Sequence, residues 1–139
     1  MKLKTILIVI PLLLVLLYSF TYVPHKLFDI NPSDVSKINI VDGNSGFRFD
    51  ITSEEEIHRI IKNLNEVTFK KGKPSAGYMG YRFDTTIYNK KGDPMKELII
   101  NSSDTLRYKG FFYTTTDIPL EYEFIDEVEN QRDGSIGSH

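Results

Sequence analysis

Residues 6–23 form one nearly unbroken apolar run, and no other feature of the chain constrains its fold as much. A helix of about 20 apolar residues crosses a hydrocarbon core. Residues 5–23 reach that length with only Thr5, Pro11, Ser19 and Thr21 diluting them, none of them charged. The core helix of a soluble domain would keep one polar face, and this run has none. Tyr18 and Tyr22 fall where interfacial aromatics are expected, and Lys2 and Lys4 argue that the N-terminus stays in the cytoplasm. The competing reading, a cleaved secretory signal, requires small residues at a cleavage site. The exit reads Tyr18-Ser19-Phe20-Thr21-Tyr22-Val23-Pro24, which has no such pattern. Residues 1–25 therefore read as an uncleaved signal anchor: one pass through the cell membrane, N-terminus cytoplasmic, the remainder outside.

Residues 26–34 read as a tether, 35–130 as one folded domain and 131–139 as a flexible tail. One domain of that length buries a real but small core. The net charge is −2, and setting aside Lys2 and Lys4 leaves the outer part more acidic. Nucleic acid calls for a basic face, so it is not an expected partner. There is no cysteine, which excludes a disulfide framework, a thiol nucleophile and cysteine-held metal. Packing alone must hold the domain.

Lys37 to Val41 alternates apolar and polar residues, as does Phe47-Arg48-Phe49-Asp50-Ile51; between them Asp42-Gly43-Asn44-Ser45-Gly46 has turn chemistry. These predict a hairpin. Ser53 caps a helix over residues 53–65, with Glu56 completing a capping box and Glu54 and Glu55 suiting the helix dipole. Ile57, Ile60, Ile61 and Leu64 make one apolar stripe at helical spacing. Val67 and Phe69 begin another strand, which Gly72, Pro74 and Gly77 are expected to break. Further strands are predicted over 81–88, 96–101, 106–109 and 111–115, and a last short helix over 120–130 with Leu120, Phe124, Ile125 and Val128 inward. The order β-β-α-β-β-β-β-β-α with tight turns predicts an α+β fold: a small antiparallel meander with one amphipathic helix packed on it.

No constellation carries recognisable catalysis. His25, His58 and His139 share no helix face, and H-E-x-x-H, Ser-x-x-Lys and Gly-x-Ser-x-Gly are absent. Gly72-Lys73-Pro74-Ser75 lacks the glycine pattern of a phosphate loop, and Pro74 removes an N–H such a loop needs. Asp42, Asn44 and Asp50 lack the later glutamate of a calcium loop. The reading is no enzyme, no cofactor and no metal. The distinctive stretches are Gly77-Tyr78-Met79-Gly80-Tyr81 and Arg107-Tyr108-Lys109-Gly110-Phe111-Phe112-Tyr113, where aromatics and cations sit beside flexible backbone. Aromatic and arginine side chains dominate recognition surfaces. Tyr78, Tyr81, Arg107 and Phe112 are the candidate binding surface, for a protein or a cell-envelope ligand. The opposing reading is that alternation puts these aromatics in the core.

Four runs carry a resemblance: Asn31-Pro32-Ser33-Asp34-Val35-Ser36-Lys37-Ile38, Asp42-Gly43-Asn44-Ser45-Gly46, Gly77-Tyr78-Met79-Gly80-Tyr81 and Ile99-Ile100-Asn101-Ser102-Ser103-Asp104-Thr105. Together they resemble a family of uncharacterised, signal-anchored extracytoplasmic domains of Gram-positive bacteria, also seen appended to beta-lactam-sensor-type membrane metallopeptidases. The zinc motif of those peptidases is missing here, so the resemblance implies a surface sensing or binding module without catalysis. The alternative is an inhibitory or immunity-type protein acting through protein contacts. The topology has a direct check. Protease added to intact cells is expected to digest the outer domain while the mature chain still begins near Met1; a mature chain starting after Val23 would overturn the anchor.

Overall fold

The computed structural model describes residues 2–137, the side chains of residues 135–137 excepted. Helix α1, Leu3–Ser19, continues through a 3-10 turn at Phe20–Tyr22. Residues Leu3–Tyr22 make one helix long and apolar enough to cross a membrane, with mean hydropathy 2.4 and none of it buried. The remainder is an eight-stranded antiparallel sheet with two helices, an α+β fold.

The strands are β1 (His25–Lys26), β2 (Val35–Asp42), β3 (Arg48–Ile51), β4 (Thr68–Pro74), β5 (Phe83–Asn89), β6 (Pro94–Ile100), β7 (Thr105–Tyr108) and β8 (Phe111–Thr115). Helix α2 is Glu54–Glu66 and α3 is Tyr122–Gly137. The sheet order is β1-β4-β8-β7-β6-β5-β2-β3. Strands β5 to β8 form the expected meander, and the β2–β3 hairpin joins it through β5.

Helix α2 links the two sides of this sheet, leaving β3 at one edge and entering β4, next to the other. Six strand spacings at about 4.8 Å make roughly 29 Å if laid flat. A 13-residue helix at 1.5 Å per residue covers only about 20 Å, and it must also run from one end of the strands to the other. The sheet therefore coils around α2. Ser53 starts the helix as its composition demands, accepting a hydrogen bond from the Glu56 N–H. Ile57, Ile60, Ile61 and Leu64 are all buried, against an inner sheet face of Ile38, Ile40, Phe49, Ile51, Phe83, Ile87, Leu98, Ile100, Leu106 and Phe69.

Three segments differ from the sequence expectation. Residues 26–34 are part of the fold rather than a tether. His25 and Lys26 pair with Phe69 and Thr68 of β4. Phe28 and Ile30 are buried in the core, Phe28 packing on Phe69 and Tyr108. Asn65 holds Ile30 by both its N–H and its carbonyl. Polar neighbours hid this, because a single buried residue on either side of Asp29 makes no period. Residues 70–74 are strand: β4 absorbs Gly72 and Pro74 at a register shift, a place where an edge-side ladder tolerates both. Helix α3 starts two residues later than expected and continues past 130 to Gly137. Leu120, Ile125 and Val128 are buried as expected, whereas Phe124 is half-buried beneath the Arg59 guanidinium, 3.9 Å from its ring centre. Of the expected tail, Ser138 and His139 lie outside the described residues.

Ile60 and Ile61 have no exposed surface beyond 1%. Ile60→Ala or Ile61→Ala is expected to destabilise the domain by about 2–5 kcal/mol, and Ser53→Ala by about 1 kcal/mol. Denaturant melts of the full chain in detergent measure both, and no loss at either isoleucine would refute the packing.

Candidate functional site

The sheet has two ends. One carries Pro74, the Lys109–Gly110 turn and the β5–β6 turn; the other carries Thr68, Thr115 and the β2–β3 turn. Strand β4 stops at the first end and β5 starts at the second, with β8, β7 and β6 between them. Residues 75–82 must therefore cross the outer face as a strap. Its first anchor is the Ser75 N–H, which donates to the Gly110 carbonyl at 2.8 Å. Its last is the Arg82 carbonyl, which accepts from the Gly43 N–H at 2.7 Å. Gly43 is required there: a Cβ would collide with the Tyr81 carbonyl and ring.

Beneath the strap, strand register sets Phe112, Arg107, Ile99, Asp84, Val41 and Arg48 in one row across the outer face. The Tyr78 ring stands edge-on to Phe112, centroids 5.1 Å apart. Arg107 Nη1 donates to the Tyr78 carbonyl at 3.1 Å, and its guanidinium lies 5.2 Å from the Phe112 ring. Lys73 Nζ sits 4.6 Å from the Tyr78 ring. Of the four residues singled out in the sequence, the fold thus brings Tyr78, Arg107 and Phe112 together. Tyr81 lies apart from them, against Gly43 at the far end of the strap. Neither Phe112 nor Tyr78 is core: Phe112 is half-buried, Tyr78 is 51% exposed and Met79 beside it is 90% exposed. Arg107 Nε is buried with no hydrogen-bond partner, a donor that is costly to leave unmet. A groove of about 230 Å³ runs alongside, between Arg107, Ile99, Asp84 and Glu97. Burial, then repulsion from Glu97, raises the Asp84 pKa above the ordinary carboxylate value, against the pull of Arg48.

Sequence reasoning missed a second constellation at the strap's end. Arg82 Nε meets Asp42 at 3.3 Å, while its Nη2 meets Asp126 at 2.7 Å and Glu129 at 3.4 Å. Arg82 Nη1 donates to the Tyr122 hydroxyl at 3.3 Å, and Ser45 donates to Glu129. Asp42 and Glu129 are each only 4% exposed. Asp42 continues the inward row of Ile38 and Ile40, so its burial was legible in the alternation. Its partner, 87 positions along the chain at Glu129, was not. Asp50 faces Asn39 and Lys37 instead, so the acidic residues of the hairpin do not converge.

Three carboxylates share one guanidinium, and the two buried ones share a hydrogen bond. Burial, then the hydrogen bond and charge of Asp42, pushes the Glu129 pKa up to about 7. Burial acts to raise Asp42 as well, but hydrogen bonds from Glu129 and the Asn44 N–H, with the charge of Arg82, hold it below its ordinary value. The cluster clamps α3 and the strap's exit to the β2–β3 turn.

No protein-family model matches the chain, and it matches no curated protein and no solved structure.

The clamp makes stability depend on pH. Glu129 binds its proton more tightly folded than unfolded. Its contribution is full below about pH 4.5, the unfolded value, and is lost as pH rises through about 7. Asp42 acts oppositely, its contribution falling away in acid. Glu129→Gln keeps a neutral donor and cannot ionise. It is expected to flatten the decline in Tm between mildly acidic and alkaline pH; an unchanged decline would remove Glu129 as its cause.

Proposed function

We propose that the chain is a membrane-anchored binding module, held by α1 with its domain outside the cell, that recognises a partner through the strap and the outer sheet face. The observation that carries this reading is the convergence of Tyr78, Arg107, Phe112 and Lys73, with Met79 projecting almost fully into solvent. Exposed aromatic and methionine side chains beside arginine are the composition of recognition surfaces.

The shape of the patch favours a macromolecule over a small ligand. The groove beside the strap, about 230 Å³, is smaller than the roughly 300–1,000 Å³ of a site that swallows a small molecule. An interaction protein, inhibitory or protective, is therefore the favoured form of the module, as against a receptor for a small solute. The anchoring follows from the apolar helix and its lysine-flanked start. The resemblance to signal-anchored extracytoplasmic domains supports the same address. The module is read as non-catalytic, on the absence of recognisable catalytic motifs in the sequence.

Met79→Ala and Tyr78→Ala are expected to move the melting curve by less than about 0.5 kcal/mol, while a central contact costs about 2 kcal/mol or more in binding. A photo-crosslinking residue at position 79 in intact membranes is expected to give a discrete adduct that Tyr78→Ala weakens. The same label at Lys62 on α2 is expected to give none. Equal adducts at both positions, or unfolding of Tyr78→Ala, would reject the surface.

A further inference from the structure

The sheet end that meets α1 is built differently from the opposite end. Pairing of His25 with Phe69 and Lys26 with Thr68 sets the direction of the chain: moving back towards α1 leads along β4 towards Lys71 and Pro74. The contacts agree. Lys71 Nζ lies 3.8 Å from the Phe111 ring, 5.3 Å from Tyr22 and 5.6 Å from Tyr18. With α1 spanning a bilayer, this end of the sheet faces the headgroups.

The turns at this end carry lysines. Lys73 precedes the end of β4, Lys90 and Lys91 lie in the β5–β6 turn, and Lys109 lies in the β7–β8 turn; all four are exposed. The turns at the other end carry Asp42, Asp104 and Asp117. Acidic groups also stand on the lysine side: Asp93 in the β5–β6 turn, Glu97 on β6, and Glu54 near Lys90. Glu97 lines the cleft described below, whereas Asp93 and Glu54 stand on the β5–β6 and α2 side, and the charged residues on the β4–β8–β7 rim, Lys73 and Lys109, are both positive.

Strands β6 and β7 pair only at Ile99 with Arg107 and Ile100 with Leu106. Beyond that they separate, and a cleft of about 460 Å³ opens at the lysine end, lined by Pro94, Met95, Lys96, Glu97, Tyr108 and Lys109. Lys109 is held in the left-handed region, φ 48°, followed by Gly110 at 84°. A two-residue hairpin turn requires positive φ at both positions, where asparagine or glycine would serve with less strain. A lysine there spends conformational energy to place its ammonium group at the cleft mouth, 5.3 Å from the Tyr108 ring.

We propose that this end docks on the bilayer that holds α1, the β6–β7 cleft receiving the phosphate of an anionic phospholipid between Lys96 and Lys109. The domain then stands in a set orientation, with the Tyr78 patch held at a constant height. The proposal rests on the anchor reading but not on the partner of the patch, which is absent from the test.

The test uses the full chain in nanodiscs of phosphatidylcholine alone and of phosphatidylcholine mixed with phosphatidylglycerol, with amine acetylation read residue by residue by mass spectrometry. Lys73, Lys96 and Lys109 are expected to react several-fold more slowly in the anionic bilayer, with high salt restoring their rates. Lys62, exposed in the C-terminal half of α2 and away from the lysine end, is expected to react equally in both. Lys96→Gln combined with Lys109→Asn, which suits the turn, is expected to abolish the protection of Lys73. Equal rates in the two bilayers, or protection that survives the double variant or salt, would overturn the docking. Failure of the chain to enter either nanodisc would overturn the anchor instead, while the crosslinking result at Met79 stands or falls by itself.

Discussion

Helix α2 has to reach from one side of an eight-stranded sheet to the other, and it is too short to do so over a flat one. Its buried isoleucine stripe makes the crossing worthwhile, since burying an aliphatic side chain of that size contributes about 1.5–3 kcal/mol. The sheet answers by coiling until its inner rows surround the stripe. The other features described follow from that coil. The inner face is filled by α2, by α3 and by Phe28 and Ile30. The outer face stays free, and the chain must return across it between β4 and β5 because those strands begin and end at opposite ends.

That return explains why a strap exists and why its ends are tightly held. Backbone hydrogen bonds fasten it at Ser75 and at Gly43–Arg82. The segment between is a loop with exposed Gly77, Met79 and Gly80. Loops held by a rigid scaffold are where recognition residues concentrate. Arg82 fixes the exit by an ion cluster that also engages α3, so the last helix and the strap share one anchor. Replacing one member of such a buried cluster leaves the others unpaired, which is why the carboxylates and the guanidinium act as a unit.

Charge is distributed along the same axis. The end near α1 carries Lys73, Lys90, Lys91 and Lys109 with Asp93 among them, and the turns of the opposite end carry Asp42, Asp104 and Asp117. A net charge of −2 conceals this division entirely. A continuous link joins α1 to the sheet through β1 and two core residues, so the lysine end keeps a fixed relation to the apolar helix.

The sequence alone determined every element whose cause is local. The apolar run set α1 through length and the absence of charge. Period-two alternation set β2, β3 and β5, and the capped isoleucine stripe set α2. Turn chemistry at Asp42 to Gly46 set the β2–β3 hairpin. The grouping of Tyr78, Arg107 and Phe112 was read from glycine-flanked aromatic and basic residues, although Tyr78 reaches it on the strap and not on a neighbouring strand. The tertiary structure decided what depends on residues far apart in the chain. Phe28 and Ile30 are core only because β4 and Asn65 stand beside them, and a segment with no period of its own carries no local sign of that. Tyr81 parted from the patch because the strap runs diagonally, so that three residues of chain span several strands. Asp42, Arg82 and Glu129 meet because α3 folds back over the hairpin. No spacing records such a contact, since the energy that selects it comes from burying the core and not from the residues that end up paired.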